Sequence, residues 1–191
     1  MNMPLNIIVA HDLGSAIGKD NKLCWRQKAD MDRFKTVTYG DIVIMGANTA
    51  RSLPLGYLSN RHNIIVSSTI NRDSITISEK HSIATTVDIV SSIDDAITLA
   101  ATIKGQMDFM QIWIIGGAQI YNYVLENRLH EIHSIVITEV HTKIEKPNVG
   151  INLPFDIVLF DAGFSKYMSP VYIANAINEF PYRYIRWERE L

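Results

Sequence analysis

Residues 111–121, QIWIIGGAQIY, join a short apolar run to two adjacent glycines and then to a helical pattern. The first five of these residues predict a buried strand, and an apolar stripe predicts the helix that follows: Ile120, Tyr121, Val124 and Leu125. A strand that ends in glycines before a helix brings backbone N–H groups toward a ligand, which suits a pyrophosphate. The pattern also fits an ordinary turn into a helix, and the G-x-G-x-x-G motif of a Rossmann site is absent.

The same alternation of strands and helices extends along the chain and predicts an α/β fold. Further strands are predicted at residues 5–10, 41–45, 63–66, 75–77, 86–90 and 132–140. Further helices are predicted at residues 29–38 and after Ser92, where Asp95 would complete a capping box. Continuous apolar strands are typical of a largely parallel sheet that is covered on both faces. Residues 182–188 alternate aromatic and charged side chains, which favours an antiparallel edge strand over a nucleic-acid surface.

Composition limits the classes of function. The chain has 191 residues, 47% of them hydrophobic, which indicates one globular domain. Its 18 basic and 20 acidic residues give a net charge of -2, which argues against nucleic acid as a partner. One cysteine, Cys24, excludes an internal disulfide, and the six histidines form no recognisable metal-ligand set. The sequence shows neither a signal peptide nor a membrane span, so we expect a cytoplasmic protein with no metal and no membrane partner.

Asp30 is the first candidate for chemistry. It lies on the predicted helix over residues 29–38, beside Met31 and one turn before Phe34, on a face expected to point inward. A carboxylate on an apolar face is costly unless it binds something, and desolvation would raise its pKa. The alternative is a solvated first-turn residue that the helix dipole stabilises. The residues alone leave both interpretations open.

A second junction of strand, glycine and helix lies at Met45 to Thr49. Asn48 and Thr49 are good N-cap residues, so an ordinary helix start is one interpretation. The other is that this junction and the one at Gly116–Gly117 hold one dinucleotide from its two ends. Cys24 lies beside Trp25 and is interpreted as a packed residue rather than a nucleophile.

In order and spacing, six segments of the chain resemble dihydrofolate reductase, best from Asn6 to about Val140. They are IIVAHDLGSAIGKDNKLCW, ADMDRFK, IVIMGANTARSL, NRHNIIVSS, WIIGGAQIYNYVL and IVITEV. The resemblance implies a mixed, mostly parallel eight-stranded sheet with an antiparallel C-terminal strand and helices on both faces. It implies a single domain over residues 1–191 that contains an adenosine-binding subdomain at about 41–127.

The implied activity is an oxidoreductase that reduces 7,8-dihydrofolate to tetrahydrofolate with NADPH, in support of thymidylate and one-carbon metabolism. Hydride would pass from the nicotinamide C4 to the pterin C6, and the pterin N5 would gain a proton. The protein is expected to act as a monomer. Two alternatives remain: the related reductase of riboflavin synthesis, and a non-catalytic folate- or nucleotide-binding structural protein with the same fold.

The resemblance implies substrate contacts position by position. Asp30 matches the acid that hydrogen-bonds the pterin N3 and 2-amino group, and Thr138 matches a threonine that supports it. Trp25 matches a tryptophan that holds a water near the pterin, so Asp30 and Trp25 are the implied catalytic residues. Arg61 resembles the arginine that binds the α-carboxylate of the substrate's glutamate. The other implied substrate contacts are Ile8, Val9, Met31, Phe34, Leu53 and Ile115.

The implied NADPH contacts form three groups. Ala10 and Ile17 match contacts to the nicotinamide carboxamide, and Tyr121 matches a tyrosine beside the ring. Residues 11–25 resemble a mobile loop that closes over the nicotinamide, and the Gly116–Gly117 peptide is expected to be cis. The remaining implied contacts are Gly46, Ala47, Asn48, Thr49, Ser67, Ser68, Ile115, Gly117, Ala118, Gln119 and Ile120.

Four positions depart from the family pattern. Cys24 stands where proline usually precedes the tryptophan, and Ala118 replaces a common third glycine. Ala47 and Gln119 occupy positions where cationic side chains are common. The expected cations for the 2′-phosphate of NADPH are therefore missing, and Arg72 is a candidate substitute nearby in sequence.

Overall fold

An eight-stranded sheet forms the centre of the fold in a computed structural model. The structure describes residues 4–20, 22–70, 75, 85–145, 147, 149–153 and 156–190. The strand order is β5-β4-β3-β6-β1-β7-β10-β9. These strands are β1 (Leu5–Asp12), β3 (Ile42–Gly46), β4 (His62–Val66), β5 (Thr86–Val90), β6 (Ile112–Ile114), β7 (Ile132–Val140), β9 (Phe164–Met168) and β10 (Tyr182–Arg189). Every pairing from β5 to β7 is parallel, whereas β10 is antiparallel to both of its neighbours.

Helices cover both faces of this sheet. They are α1 (Lys28–Val37), α2 (Ala47–Ser52), α3 (Ile93–Gln106), α4 (Ala118–Asn127) and α5 (Asp156–Asp161), with a 3-10 turn at Leu129–Glu131. Successive strand residues point to opposite faces, so Ile7 packs in one apolar cluster and Ile8 in the other. The Ile7 cluster takes residues from α3, α4 and α5, and the Ile8 cluster takes residues from α1 and α2. The mixed, mostly parallel sheet predicted from the sequence is confirmed.

The strand predictions hold to within two residues where the structure describes them. The predicted strand over 132–140 has the predicted bounds, and the one over 86–90 does too. Of the predicted strand over 75–77, only residue 75 lies within the described residues. The placement of residues 182–188 at the sheet edge is wrong, because β9 pairs outside β10. The aromatic and charged alternation of β10 reflects its two faces and not an open edge.

The start of α3 follows the prediction in part. Ser92 is the N-cap, and its Oγ accepts a hydrogen bond from the backbone N–H of Asp95 at 3.0 Å. The Asp95 carboxylate accepts from Ser91 Oγ at 3.1 Å. One half of the predicted capping box is therefore present, and the acid of the box binds the residue before the cap.

A two-stranded sheet, formed by β2 (Ala16–Gly18) and β8 (Val149–Gly150), stands apart from the main sheet. A buried carboxylate, that of Asp12 at the end of β1, lies beside it. Its Oδ1 accepts from Gly14 N and Ala16 N at 2.8 Å, and its Oδ2 accepts from Ile144 N at 2.6 Å. One side chain therefore fixes both the turn that leads to β2 and the loop that leads to β8.

The connection between β9 and β10 closes over the first turn of α1. The N-cap residue of α1, Gln27, makes no capping bond, and the backbone N–H of Ala29 instead donates to Asn178 Oδ1 at 2.9 Å. The Gln27 amide donates to Phe180 O and accepts from Phe180 N, both at 3.0 Å. Gln27 and Asn178 are both buried, so this contact is an integral part of the fold. Within the described ranges, no helix has the length and apolar character needed to cross a bilayer.

Candidate active site

The main cavity, about 1050 Å³ in volume, lies where the strands of the parallel half of the sheet lead into helices. Gly46 ends β3, Val66 ends β4, and Ile115 follows β6, and all three line the cavity. Side chains from α1 form another part of the wall, and the start of α4 contributes backbone. Ligands of open α/β sheets bind outside the carboxyl ends of the strands, so this cavity is the candidate active site.

The two glycine junctions predicted from the sequence meet in this cavity. The backbone N–H of Gly46 donates to Gly116 O at 2.7 Å, and the Gly116–Gly117 peptide is cis, as the resemblance implies. Gly116 has φ +111, and a Cβ there would lie 3.0 Å from the Tyr121 ring. A Cβ on Gly117 would lie 3.3 Å from Thr49 Oγ1. Gly116 is needed because the Tyr121 side chain of α4 already occupies the space around it and its φ is positive, whereas a Cβ on Gly117 would require the Thr49 side chain to shift.

The Asp30 carboxylate is the acidic group of the cavity wall. It lies in the first turn of α1 and is partly buried, with a hydrogen bond to Thr138 of β7. Burial raises the pKa of Asp30, while the bond to Thr138 and the charge of Arg33 act in the opposite direction. A partly buried carboxyl that faces a cavity favours the ligand-binding interpretation over that of a solvated first-turn residue.

Tyr121 joins α4 to β1 behind the glycines. Its hydroxyl donates to Ile8 O at 2.8 Å, and the side chain is buried. Burial raises the pKa of Tyr121, and the Asp30 charge raises it further, so the hydroxyl remains a donor at neutral pH. Tyr121 and Asp30 are therefore near enough to interact electrostatically across the site.

Trp25 lies outside the main cavity and lines a neighbouring one of about 430 Å³, which Asp30 and Met31 also line. The indole is buried, and its Nε1 has no hydrogen-bond partner among the residues that the structure describes. The adjacent Cys24 is partly buried, with Sγ 3.9 Å from Lys22 O.

The Arg61 side chain is buried and does not line the main cavity. Its Nε donates to Thr38 Oγ1 at 2.9 Å, its Nη1 to Ser59 O at 2.6 Å and its Nη2 to Lys35 O at 2.9 Å. Burial lowers the pKa of Arg61, although an arginine stays charged in proteins. Three of its five N–H groups are committed to the end of α1 and the loop before β4, which leaves two donors for a ligand.

Three of the predicted site residues, Trp25, Arg61 and Thr138, do not line the main cavity, and all the others do. The residues that it brings together are Ile8, Val9, Ala10, Ile17, Asp30, Met31, Phe34, Gly46, Ala47, Asn48, Thr49, Leu53, Ser67, Ser68, Ile115, Gly117, Ala118, Gln119, Ile120 and Tyr121. The predicted substitute cation Arg72 lies outside the described residues.

Several residues of the cavity wall were missed at the level of sequence. Lys19 and Lys22 line it, and their backbones exchange two hydrogen bonds of 3.0 Å. Thr69, which follows the predicted Ser68, also lines it, and so does Ser92, the N-cap of α3. The lysines follow Ile17 by two and five residues, and this closeness in sequence to a predicted contact was the available signal. They supply positive charge that the glycine junctions lack.

Comparison with known proteins identifies the family. A sequence profile described as dihydrofolate reductase matches residues 4–189. The chain belongs to the dihydrofolate reductase family. Dihydrofolate reductase type 9 of Escherichia coli is 30% identical over 146 residues, which cover 74% of this chain and 73% of the relative. Dihydrofolate reductase of Schistosoma mansoni is 30% identical over 151 residues, 75% of each chain.

A longer relative also matches. The bifunctional dihydrofolate reductase-thymidylate synthase of Glycine max is 29% identical over 170 residues, which cover 84% of this chain but only 30% of that protein. The chain therefore spans less than a third of this relative. Dihydrofolate reductases use NADPH as their reductant, and the family assignment does not favour either alternative, the riboflavin-pathway reductase or the structural protein.

Proposed function

We propose that this chain reduces 7,8-dihydrofolate to 5,6,7,8-tetrahydrofolate with NADPH. The observation that carries the proposal is the partly buried Asp30 carboxylate, which is hydrogen-bonded to Thr138 and faces the cavity between β1 and α1. A pterin presents two adjacent N–H donors, at N3 and at the 2-amino group, and a carboxylate accepts both. Burial makes that pairing stronger than it would be in water.

The other cavity residues suit the rest of the substrate. Phe34 and Leu53 offer apolar surface for the pterin and the benzoyl group, with Met31 beside them. Ile8 and Ile115 contribute backbone carbonyls at the inner end of the cavity, where Ile8 O already accepts from Tyr121. A bidentate pair between the remaining donors of Arg61 and the glutamate α-carboxylate would fix the outer end.

NADPH fits the glycine junctions. The first N–H groups of a helix lack intrahelical acceptors, so the starts of α2 and α4 can donate to the pyrophosphate through Ala47 to Thr49 and Gly117 to Gln119. The Ile120 N–H already donates to Gly117 O at 3.0 Å, so Ile120 would contribute its side chain. Close approach is available because Gly46, Gly116 and Gly117 have no side chains. Ala10, Ile17 and Tyr121 would hold the nicotinamide, and Ser67 and Ser68 the adenosine side, within a subdomain at about 41–127.

When bound, NADPH supplies the hydride that reduces C6 of the pterin. Asp30 holds the pterin in position, and its charge favours protonation at N5, which we assign to a water molecule rather than to Asp30 itself. Trp25 Nε1 is a buried donor with no partner in the described part of the chain, which suits a water at this point. β2 and β8 cover the nicotinamide side and help to exclude bulk solvent.

Turnover of purified protein with dihydrofolate and NADPH tests the proposal, followed by the loss of the cofactor's absorbance. In Asp30→Asn we expect turnover to fall by roughly 100-fold or more, while NADPH binding is retained. Asp32→Asn is the matched control, because Asp32 is an exposed acid on the same helix that pairs with Lys28. Turnover of Asp30→Asn close to that of the wild type would reject the assignment.

The same assay separates the alternatives. Oxidation of NADPH with dihydrofolate, inhibited by methotrexate, distinguishes the proposed enzyme from a riboflavin-pathway reductase. No oxidation with NADPH or NADH would leave the non-catalytic binding protein. We further propose that the protein acts as a monomer in the cytoplasm, where its single cysteine suits a reducing environment, and light scattering after gel filtration tests its oligomeric state.

A further inference from the structure

Arg33 lies directly behind Asp30 on α1. The two residues are three apart on one helix, so their side chains leave the same face. The Arg33 guanidinium is fixed at two points outside the helix. Its Nη1 donates to Ile137 O at 3.1 Å, and its central carbon lies 4.1 Å from the centre of the Tyr184 ring. A guanidinium stacked on a ring and bonded to a carbonyl is held in one orientation.

The anchors of Arg33 coincide with the support of Asp30. Ile137, which accepts from Arg33, precedes Thr138, which hydrogen-bonds Asp30. Tyr184 of β10 is the direct partner of Thr138 in the β7–β10 register. The carboxylate, the hydroxyl that binds it and the two anchors of the guanidinium thus occupy one patch of the sheet beneath α1.

We propose that Arg33 is a positioning residue for the reaction: its fixed guanidinium keeps the Asp30 carboxylate ionised for the pterin. The proposal rests on the proposed function, since it concerns the same carboxylate. Arg33 is not among the site residues that the family resemblance implies. Its action is through space and through Asp30, because Arg33 does not line the cavity and does not reach a ligand there.

The polar and charged groups around this pair come from β7, α4, β10 and the segment between β9 and β10. Thr138 of β7 bonds Asp30, and Tyr121 of α4 and Tyr184 of β10 interact with it electrostatically. Arg186 of β10 and Tyr172 act on Arg33. Burial raises the pKa of Tyr184 to about 12, so the Tyr184 hydroxyl is neutral at physiological pH. Arg33 is thus the fixed positive charge that acts on Asp30 in this patch.

The direction of the electrostatic effects agrees with this geometry. Burial raises the pKa of Asp30, and Arg33 lowers it. Burial also lowers the pKa of Arg33, while Tyr184 and Asp30 raise it. An arginine keeps its charge despite such burial, because its ordinary pKa lies far above neutral pH. The guanidinium therefore counteracts part of the penalty that burial imposes on the carboxylate.

The test compares neutral and charged replacements of Arg33. Arg33→Gln removes the charge but keeps an amide that can donate to Ile137 O, and Arg33→Met is a second neutral variant in case either folds poorly. Arg33→Lys keeps the charge. Arg189→Met is the matched control, because Arg189 also lies over a ring, that of Phe164, and donates to backbone carbonyls, but at the far end of β10.

Two measurements are made on each variant. One is carboxyl carbon NMR of Asp30 across a pH titration of the protein alone, with the resonance assigned by its loss in Asp30→Asn. The other is the pH dependence of turnover at saturating dihydrofolate and NADPH. We expect both neutral variants to move the Asp30 titration and the kinetic inflection to higher pH. Arg33→Lys should restore most of the shift, and Arg189→Met should leave both midpoints unchanged.

The outcomes separate this inference from the proposed function. An unchanged Asp30 midpoint in Arg33→Gln and Arg33→Met overturns the inference even if the wild type reduces dihydrofolate. Equal shifts in Arg33→Lys and Arg33→Met also overturn it, since the effect would then follow the stacked shape and not the charge. A wild type without turnover rejects the proposed function, while the NMR titration still decides the role of Arg33.

Discussion

The Asp12 carboxylate accepts a 2.6 Å hydrogen bond from the backbone N–H of Ile144, which lies 132 residues later in the chain. Its other oxygen accepts from Gly14 N and Ala16 N. One buried side chain therefore joins the turn before β2 to the loop before β8. Because residues of both short strands line the cavity, this connection shapes the side of the site proposed for the nicotinamide.

Asp12→Ala should loosen that side of the site. It leaves three buried or partly buried N–H groups without their acceptor, at a cost of about 1–3 kcal/mol for each that stays unsatisfied. We expect a lower midpoint of thermal unfolding and an NADPH KM raised roughly tenfold. Asp12→Asn, which keeps one acceptor oxygen, should fall between Asp12→Ala and the wild type. Equal stability and KM in all three proteins would contradict this role.

Gly116→Ala should weaken cofactor binding. The new Cβ would meet the Tyr121 ring at 3.0–3.2 Å, on a backbone with φ +111. Relief of the clash displaces Tyr121 from Ile8 O or opens the junction with Gly46, and we expect at least a tenfold loss of NADPH affinity by calorimetry. The control is Gly105→Ala in α3, where a Cβ meets nothing within 4 Å. Calorimetry should give this control the wild-type affinity; a similar loss in both variants would point to general destabilisation.

Asp30→Asn should make the protein more stable at neutral pH although it lowers turnover. The folded-state pKa of Asp30 is raised, so the folded protein binds a proton more tightly than the unfolded chain does. The wild-type protein therefore loses stability as pH rises from the unfolded-state pKa of Asp30 to its folded-state pKa, and the loss is complete above the folded-state pKa. Below the unfolded pKa the carboxyl is neutral in both states, and the difference between variant and wild type should vanish.

Thermal unfolding of both proteins at pH 7 and at about pH 3 checks this sign. A gain of about 1 kcal/mol corresponds to roughly 2–4 °C in a chain of this size. Asp32→Asn should show no such gain, because Asp32 is half exposed and paired with Lys28. A midpoint for Asp30→Asn below that of the wild type at pH 7 would show that the carboxylate stabilises the fold.

Arg51→Gln should reduce the preference for NADPH over NADH. Arg51 Nη2 donates to Thr69 Oγ1 at 2.7 Å and Nη1 to Asn48 Oδ1 at 3.3 Å, so the guanidinium bridges two segments of the cavity wall near Ser67. Arg51 lies one turn after Ala47, and it is the Ala47 position at which a cationic side chain is common in the family. We expect kcat/KM for NADPH to fall about tenfold, with that for NADH nearly unchanged.

Lys166→Gln is the control for Arg51, because it removes one positive charge at an ion pair with Asp156 far along the chain. It should leave the ratio of the two kcat/KM values unchanged. If Arg51→Gln also leaves the ratio of kcat/KM for NADPH to that for NADH unchanged, Arg51 does not bind the 2′-phosphate.

Much of the fold was predictable because its strands are continuous apolar runs. Such runs identify buried parallel strands without knowledge of their partners, as the match of β7 to residues 132–140 shows. The strands β2 and β8 have three and two residues, too few for any periodicity to appear. β9 pairs outside β10 through a register that only the folded chain reveals, which is why β10 was misplaced at the edge.

The candidate site was also predictable from the sequence only in part. Motif positions such as Gly46, Gly117 and Asp30 line one cavity, as the family resemblance implied. Arg33 and Asp12 were missed because their importance depends on contacts with β7, β10 and the loop before β8. An arginine three residues after a key acid was visible in the sequence, but a single helical pair does not show that the guanidinium is held against Ile137 and Tyr184.

The residue that caps α1, Asn178, is synthesised long after the helix itself. The helix that carries Asp30 is translated before the segment that caps it: the Asn178 amide that binds its first turn, and the Phe180 backbone that pairs with Gln27, follow about 150 residues later. A nascent chain that has not reached this segment lacks both contacts. The carboxylate therefore acquires its final setting only after residues 178–180 have been made, later than the parallel strands of the sheet.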